Sequence, residues 1–157
     1  MLRLSKLTDY ATIVLASMAA APDALHTSSA VAVRTRLPAA TASKLLKMLA
    51  RAGLVTSVRG ARGGYALARP AAGISAADII DAIEGPVAIT ECSTRHSACS
   101  LEVGCRTGHA WQRINRAIRR ALAEVTLAEL SKPSGFRTPT FDLGPRPPAS
   151  TPAERGT

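Results

Sequence analysis

The chain has 157 residues, 46% hydrophobic and only 3% aromatic, with a formal charge of +9 and a sequence pI near 10.5. That length fits one compact domain, or a small domain with an added arm, whose core is built from Ala, Leu, Val and Ile and leans towards helix. No segment reaches the roughly 18 apolar residues of a membrane span, and so basic a balance points to a polyanionic partner, nucleic acid above all.

In chain order, Leu7, Ala11, Val14, Leu15, Met18 and Ala19 recur at helical spacing and predict a first core helix, ended by Pro22-Asp23. Arg3 and Lys6 ahead of the apolar run from Tyr10 to Ala21 resemble a secretory leader. Asp9 at the edge of that run and an odd count of three cysteines weigh against it, and the chain is expected to be cytoplasmic, with no membrane partner. Thr27-Ser28-Ser29 caps a second, short helix through Val31-Ala32-Val33. Leu37-Pro38 is a break, with Pro38 in the first turn of a third helix. That helix runs to Ala52, turns Ala42, Leu45, Leu46 and Leu49 inward, and is closed by Gly53. Leu54 to Val58 and Tyr65 to Ala68 read as strands around a turn from Arg59 to Gly64. Helices, tight connection, third helix and hairpin make a mainly α fold whose first unit, residues 1–70, is a winged helix-turn-helix.

Residues 71–108 hold a linker helix and a cysteine loop. The helix runs from about Ser75 to Glu84, with Ser75 as cap and Asp78 in the first turn. Ala76, Ile79, Ile80 and Ile83 lie on one side, Ile74 is placed to pack on Ile79, and Gly85-Pro86 stops the helix. A long helix follows from about His109 to Leu130, with the stripe Trp111, Ile114, Ile118, Leu122 and Val125. A narrow apolar seam on a terminal helix pairs with a symmetry mate, so residues 109–130 are read as a dimerisation helix and the protein as a homodimer. Residues 131–157, rich in Pro, Gly, Ser and Thr and without periodicity, read as a disordered tail.

Charge is unevenly placed. Between Asp23 and Asp78 there is no acidic residue, while the stretch carries Arg34, Arg36, Lys44, Lys47, Arg51, Arg59, Arg62 and Arg69. Such a run is the footprint of a phosphate backbone. In a helix-turn-helix the start of the recognition helix meets base edges. Here the outward face of the third helix is Ala40, Thr41, Ser43, Lys44, Lys47 and Arg51. Thr41 and Ser43 can exchange hydrogen bonds with bases and Lys44 can reach a guanine edge; Lys47 and Arg51 are placed for phosphates. This face lacks long bidentate readers, so DNA shape is expected to share the specificity, with Arg59 and Arg62 of the wing entering a narrow minor groove. The Gly-rich turn lacks the Lys-Ser/Thr ending of a nucleotide cradle and joins two strands. No carboxylate–His constellation marks an enzyme, and no small-molecule substrate is expected.

Cys92, Cys99 and Cys105 place three soft ligands in one loop, a set that suits zinc or an iron–sulfur cluster. With His109 the spacing also resembles the RNA-binding Cys-Cys-Cys-His zinc fingers, though the aromatics those fingers stack on bases are missing. Plain free thiols are the third reading.

Scattered motifs then fall into a familiar order: Leu4-Ser5-Lys6-Leu7-Thr8-Asp9-Tyr10, Ser43-Lys44-Leu45-Leu46, Gly53-Leu54-Val55, Val58-Arg59-Gly60, Gly63-Gly64-Tyr65, Ile74-Ser75, Glu84-Gly85-Pro86, three cysteines and Trp111. Over about residues 1–130 the chain resembles the Rrf2 family of bacterial winged-helix regulators. Its Leu7-Thr8-Asp9-Tyr10 start and its runs 84–92 and 111–116 are most similar to the regulators of SUF-type iron–sulfur cluster assembly. The resemblance implies that Cys92, Cys99 and Cys105 hold an iron–sulfur cluster, 2Fe–2S in preference to 4Fe–4S, and that the helix from His109 forms the dimer interface. For the fourth ligand it offers Asp9, which matches an acidic ligand supplied by the partner's first helix in some members. His109 is second, one step beyond the position that is histidine in others and Gly108 here, and His96 is third. The implied function is a cluster-dependent regulator bound to double-stranded operator DNA; the alternative is a zinc-stabilised repressor without a sensing cluster.

Overall fold

The computed structural model describes residues 4–60, 62–90 and 107–132. Helix α1 spans Lys6–Ala19, and the Ser5 side chain accepts from the Thr8 N–H at its start. Helix α2 is Ser28–Thr35, with Thr27 accepting from the Ala30 N–H. It ends at Arg36, which adopts φ 55°, ψ 28°, a left-handed conformation that normally falls to glycine. Helix α3 is Ala39–Arg51. Pro38 is its N-cap rather than a first-turn residue: its φ suits helix, but its ψ of 138° keeps it extended. Gly53, at φ 73°, turns the chain out of α3 into strand β1, Val55–Val58.

Strand β2, Gly64–Leu67, pairs antiparallel with β1 in the register Val55–Leu67 to Val58–Gly64. The expected strands are thus one residue displaced at each start. A bridge between His26 and Tyr65 adds a third short edge from the α1–α2 connection. After a 3-10 turn at Ala71–Gly73 comes helix α4, Ala76–Glu84, closed at its start by a reciprocal capping box between Ser75 and Asp78. Its buried side is Ala77, Ile79 and Ile80; Ala76 stays half-buried because it sits in the first turn beside the cap. Ile74 and Ile79 both enter the core, as the sequence pattern requires.

The single helix expected from His109 to Leu130 is two helices. Helix α5 spans Gly108–Glu124, Val125 turns extended, and Thr126 starts helix α6, Leu127–Leu130, through a second capping box with Glu129. The break has a packing cause. Leu127 is fully buried, and its N–H donates to the Ile74 carbonyl at 2.7 Å, while the Ala76 N–H donates to the Val125 carbonyl at 2.8 Å. A helix continuing past Glu124 could not make this bridge. Ser131 ends α6 by bonding back to Leu127, so the first two residues read as tail, 131 and 132, are placed against α6; residues 133–157 lie outside the described residues.

One core joins these parts. Val14, Leu15 and Met18 of α1 meet Leu45, Leu46 and Leu49 of α3, with Val31, Leu54, Ile74, Ile79 and Leu127 around them. Each such fully buried aliphatic side chain contributes about 1.5–3 kcal/mol. Because α6 and α4 share the core of the winged helix, anything that moves α4 or α5 is felt by the helix that carries the candidate site.

Candidate nucleic-acid interface

The site begins with α3. Its apolar stripe of Ala42, Leu45, Leu46 and Leu49 is buried, which forces the alternate positions outward. Ala40, Lys44, Lys47 and Arg51 are exposed, and Thr41 and Ser43 are half-buried beside them. Ala40, Ser43, Lys44, Lys47, Met48 and Arg51 line one shallow surface concavity. Arg59 and Arg62 are exposed on the wing. The structure therefore brings the helix residues predicted from sequence onto one face and adds the two wing arginines at the end of the hairpin.

The cations of the acid-free stretch differ in their partners. Arg69 pairs with Asp78 at 3.4 Å, and Arg34 donates to the Nδ1 of His26 at 2.6 Å. Lys44, Lys47, Arg51, Arg59 and Arg62 make no ion pair among the described residues. Five uncompensated charges on one helix and its wing suit a polyanion.

The wing turn is built from glycines for steric reasons. A Cβ on Gly63 would collide with the Val58 carbonyl, and one on Gly64 would stand 3.0 Å from the carbonyl oxygen of His26. The turn is thus folded tightly back on β1, and β2 is pressed against the α1–α2 connection.

Cys92, Cys99 and Cys105, like His96, lie outside the described residues, but both roots of their segment are described. Buried Asn115 of α5 accepts from the Ile89 N–H at 3.3 Å and donates to the Val87 carbonyl at 3.2 Å. Asp81 of α4 takes a two-pronged ion pair from Arg119 of α5, at 2.8 and 3.1 Å, and accepts from the Val87 N–H. Glu84 accepts from the Ser5 N–H at 2.8 Å and from the Thr8 hydroxyl; these bonds hold its carboxyl below the ordinary carboxylate range. For Asp78, burial pushes the pKa up, but the Ser75 hydrogen bonds and Arg69 together bring it below its usual value.

Asp9 and His109 are both exposed, Asp9 in the first turn of α1 and His109 in the first turn of α5. Asp9 shares a shallow concavity with Leu4, Ser5, Lys6, Thr8 and Thr12, and among the described residues no hydrogen bond or ion pair engages its carboxylate. Sequence reasoning missed His26 and Asn115. Neither sits in a readable motif, because their partners stand up to 39 residues away in the chain. The α5–α6 break did have a signal, the Thr126-x-x-Glu129 capping pattern.

A helix-turn-helix with an unpaired cationic recognition helix and a basic wing defines a DNA-binding regulator. Its family is equally plain: the model for Rrf2, described as iron-dependent transcriptional regulator, matches residues 4–133, and the chain belongs to that family. It is 38% identical over 102 residues to the HTH-type protein NMA1593 of Neisseria meningitidis, covering 65% of this chain and 68% of that one. Protein rrf2 of Nitratidesulfovibrio vulgaris is 37% identical over 89 residues, covering 57% and 59%. Among solved structures, CymR, the global cysteine regulator of B. subtilis, superposes with a TM-score of 0.63 at 29% identity, covering 83% of this chain and 97% of that one. IscR of T. potens gives 0.60 at 28%, covering 82% and 85%. The chain is a transcriptional regulator and not an enzyme. Among the described residues, no helix is long and apolar enough to cross a membrane.

Proposed function

We propose that this protein is an iron–sulfur-cluster-dependent transcriptional regulator that acts as a homodimer on double-stranded operator DNA and controls SUF-type cluster assembly genes. The observation that carries the DNA surface is the set of five unpaired cations on α3 and the wing. Lys44, with Thr41, Ser43 and the Ala40 methyl, faces bases, while Lys47 and Arg51 hold phosphates and Arg59 and Arg62 follow the minor groove.

The donor set fits the cluster. Three thiolates from Cys92, Cys99 and Cys105 with one oxygen or imidazole ligand, Asp9 first and His109 second, make a chemically reasonable and labile 2Fe–2S site. Exposure of Asp9 leaves its carboxylate free for a segment of the partner protomer. When bound, the cluster supplies cross-links whose integrity depends on redox conditions. The chain's own residues carry the consequence: Asn115 and Asp81 tie the N-terminal root of the cysteine segment to α5 and α4, and Glu84 ties α4 to the start of α1, which packs on α3. A dimer seam on α5 sets two recognition helices on one DNA face, with half-sites one helical turn or a multiple apart.

Anaerobic purification with iron and sulfide, followed by visible absorption and a comparison of DNA binding with and without the cluster, tests the reading. A coloured protein whose DNA affinity changes on cluster loss is expected. A colourless protein holding zinc overturns the cluster and leaves a zinc-stabilised repressor. Lys44→Ala and Arg59→Ala each weaken binding at fixed salt; unchanged affinity in both would displace the interface.

A further inference from the structure

We propose that Arg34 is a preset phosphate contact and that His26 is its positioning residue. The inference rests on the DNA-binding surface above and is independent of the cysteines. Arg34 lies in the last turn of α2, exposed, with one guanidinium N–H donating to the Nδ1 of His26 at 2.6 Å. His26 is 3% exposed, and its Nε2 stands 3.0 Å from the carbonyl oxygen of Ala21. A carbonyl only accepts, so Nε2 carries the proton and Nδ1 is the acceptor that Arg34 uses.

The main chain that carries the imidazole is itself held. The His26 N–H donates to the Tyr65 carbonyl at 2.8 Å, and the Tyr65 N–H returns to the His26 carbonyl at 2.9 Å. Gly64 lets the strand approach this closely. The wing strand thus holds the His26 backbone, the Ala21 carbonyl of the α1–α2 connection holds its ring, and the ring orients one arginine.

The choice of acceptor matters. Arg69 and Arg119 are held by carboxylates, which orient them and also neutralise them. A neutral imidazole orients Arg34 and leaves its charge intact. Four of the five guanidinium N–H donors remain for a ligand, and no acid lies in the sequence from Ala24 to Ala77. A long side chain already ordered in the free protein loses less freedom on binding. In a helix-turn-helix the helix before the recognition helix crosses the phosphate backbone, so the ligand is a phosphate oxygen and not a base edge.

The test measures the affinity of the full chain for a short random-sequence DNA duplex across a salt series. Arg34→Gln should weaken binding several-fold and lower the slope of log affinity against log salt by about 0.9 for each copy bound. Arg34→Lys should keep the slope and lose affinity, since the charge remains and the preset geometry does not. His26→Gln should weaken binding in the wild-type background and have no further effect on top of Arg34→Gln. Wild-type slope and affinity in Arg34→Gln would overturn the proposal. An equal loss from His26→Gln in both backgrounds would reduce His26 to a structural residue. If circular dichroism shows that His26→Gln does not fold, the two Arg34 variants decide alone. Absence of duplex binding by the wild-type chain would overturn the DNA surface itself.

Discussion

The Asn115 side chain, buried on α5, accepts from the backbone N–H of Ile89 at 3.3 Å, across 26 residues of sequence. Its amide nitrogen meets the Val87 carbonyl two residues earlier. One side chain therefore satisfies two backbone groups of the irregular segment that leads towards the cysteines. Asn115→Ala leaves both without a partner, and a buried polar group stripped of its bond costs about 1–3 kcal/mol. The expected outcome is a lower urea midpoint, with Trp111 fluorescence reporting the loss first. Trp111 is the protein's single tryptophan and stands one turn before Asn115 on the same helix.

Acid sensitivity follows from Glu84. Hydrogen bonds from the Thr8 hydroxyl and the Ser5 N–H hold its carboxyl below the ordinary value in the folded chain. A depressed carboxylate contributes stability that is present above the unfolded pKa, about 4.3, and is lost as pH falls through the folded value. Thr8→Val removes the larger of the two bonds. Its melting temperature should fall below that of the wild type at neutral pH and converge with it in acid. A constant difference at every pH would show that Thr8 acts by packing alone.

Much of the winged helix was legible because its signals are local. Thr27 and Ser75 cap the helices that their positions announce, Gly53 ends α3 in a left-handed turn, and the spacing of Ala42, Leu45, Leu46 and Leu49 defines the buried face. The outward face of α3 follows from that stripe by geometry alone. The errors have tertiary causes. The helix expected to run to Leu130 breaks after Glu124 because Ile74, 53 residues before Leu127, offers Leu127 a backbone bridge and a place in the core. Arg34 was legible as a charge and not as an anchored group, since nothing in the spacing of His26 and Arg34 marks the link. Arg36 in a left-handed turn contradicts the glycine preference outright.

The wing offers a sharper test of packing. Gly64→Ala places a Cβ 3.0 Å from the His26 carbonyl oxygen and 3.1 Å from its carbon, both backbone atoms. Neither can swing aside as a side chain would, so β2 must retreat and lengthen its bonds to His26. Overpacking of this kind costs about 1–3 kcal/mol. The expected outcome is a lower melting temperature together with weaker DNA binding, because the retreat shifts Arg59 and Arg62. Gly73→Ala, where a Cβ meets nothing within 4 Å, serves as the control and should change neither.

The stripe on α5 supplies the last prediction. Trp111 and Ile114 of α5 are 41% and 42% exposed in the single protomer, and Val125, extended just past its end, is 39% exposed, whereas the helix turns Asn115 inward. Ile118 and Leu122 are half-buried and line a cleft of about 340 Å³ with Leu4, Ile80, Pro86 and Val87. Trp111 and Ile114 are thus left uncovered by the protomer's own core, which suits a seam between two copies. Ile114→Glu adds a charge where the lone protomer already exposes the side chain, so its fold should survive, as judged by circular dichroism. In a dimer seam the same substitution sets two carboxylates in an apolar contact. Sedimentation should then show the wild type at twice the mass of one chain and the variant at a single mass, with operator affinity reduced because one half-site binds alone. A variant that sediments as a dimer would place the seam elsewhere and leave the stripe without a partner.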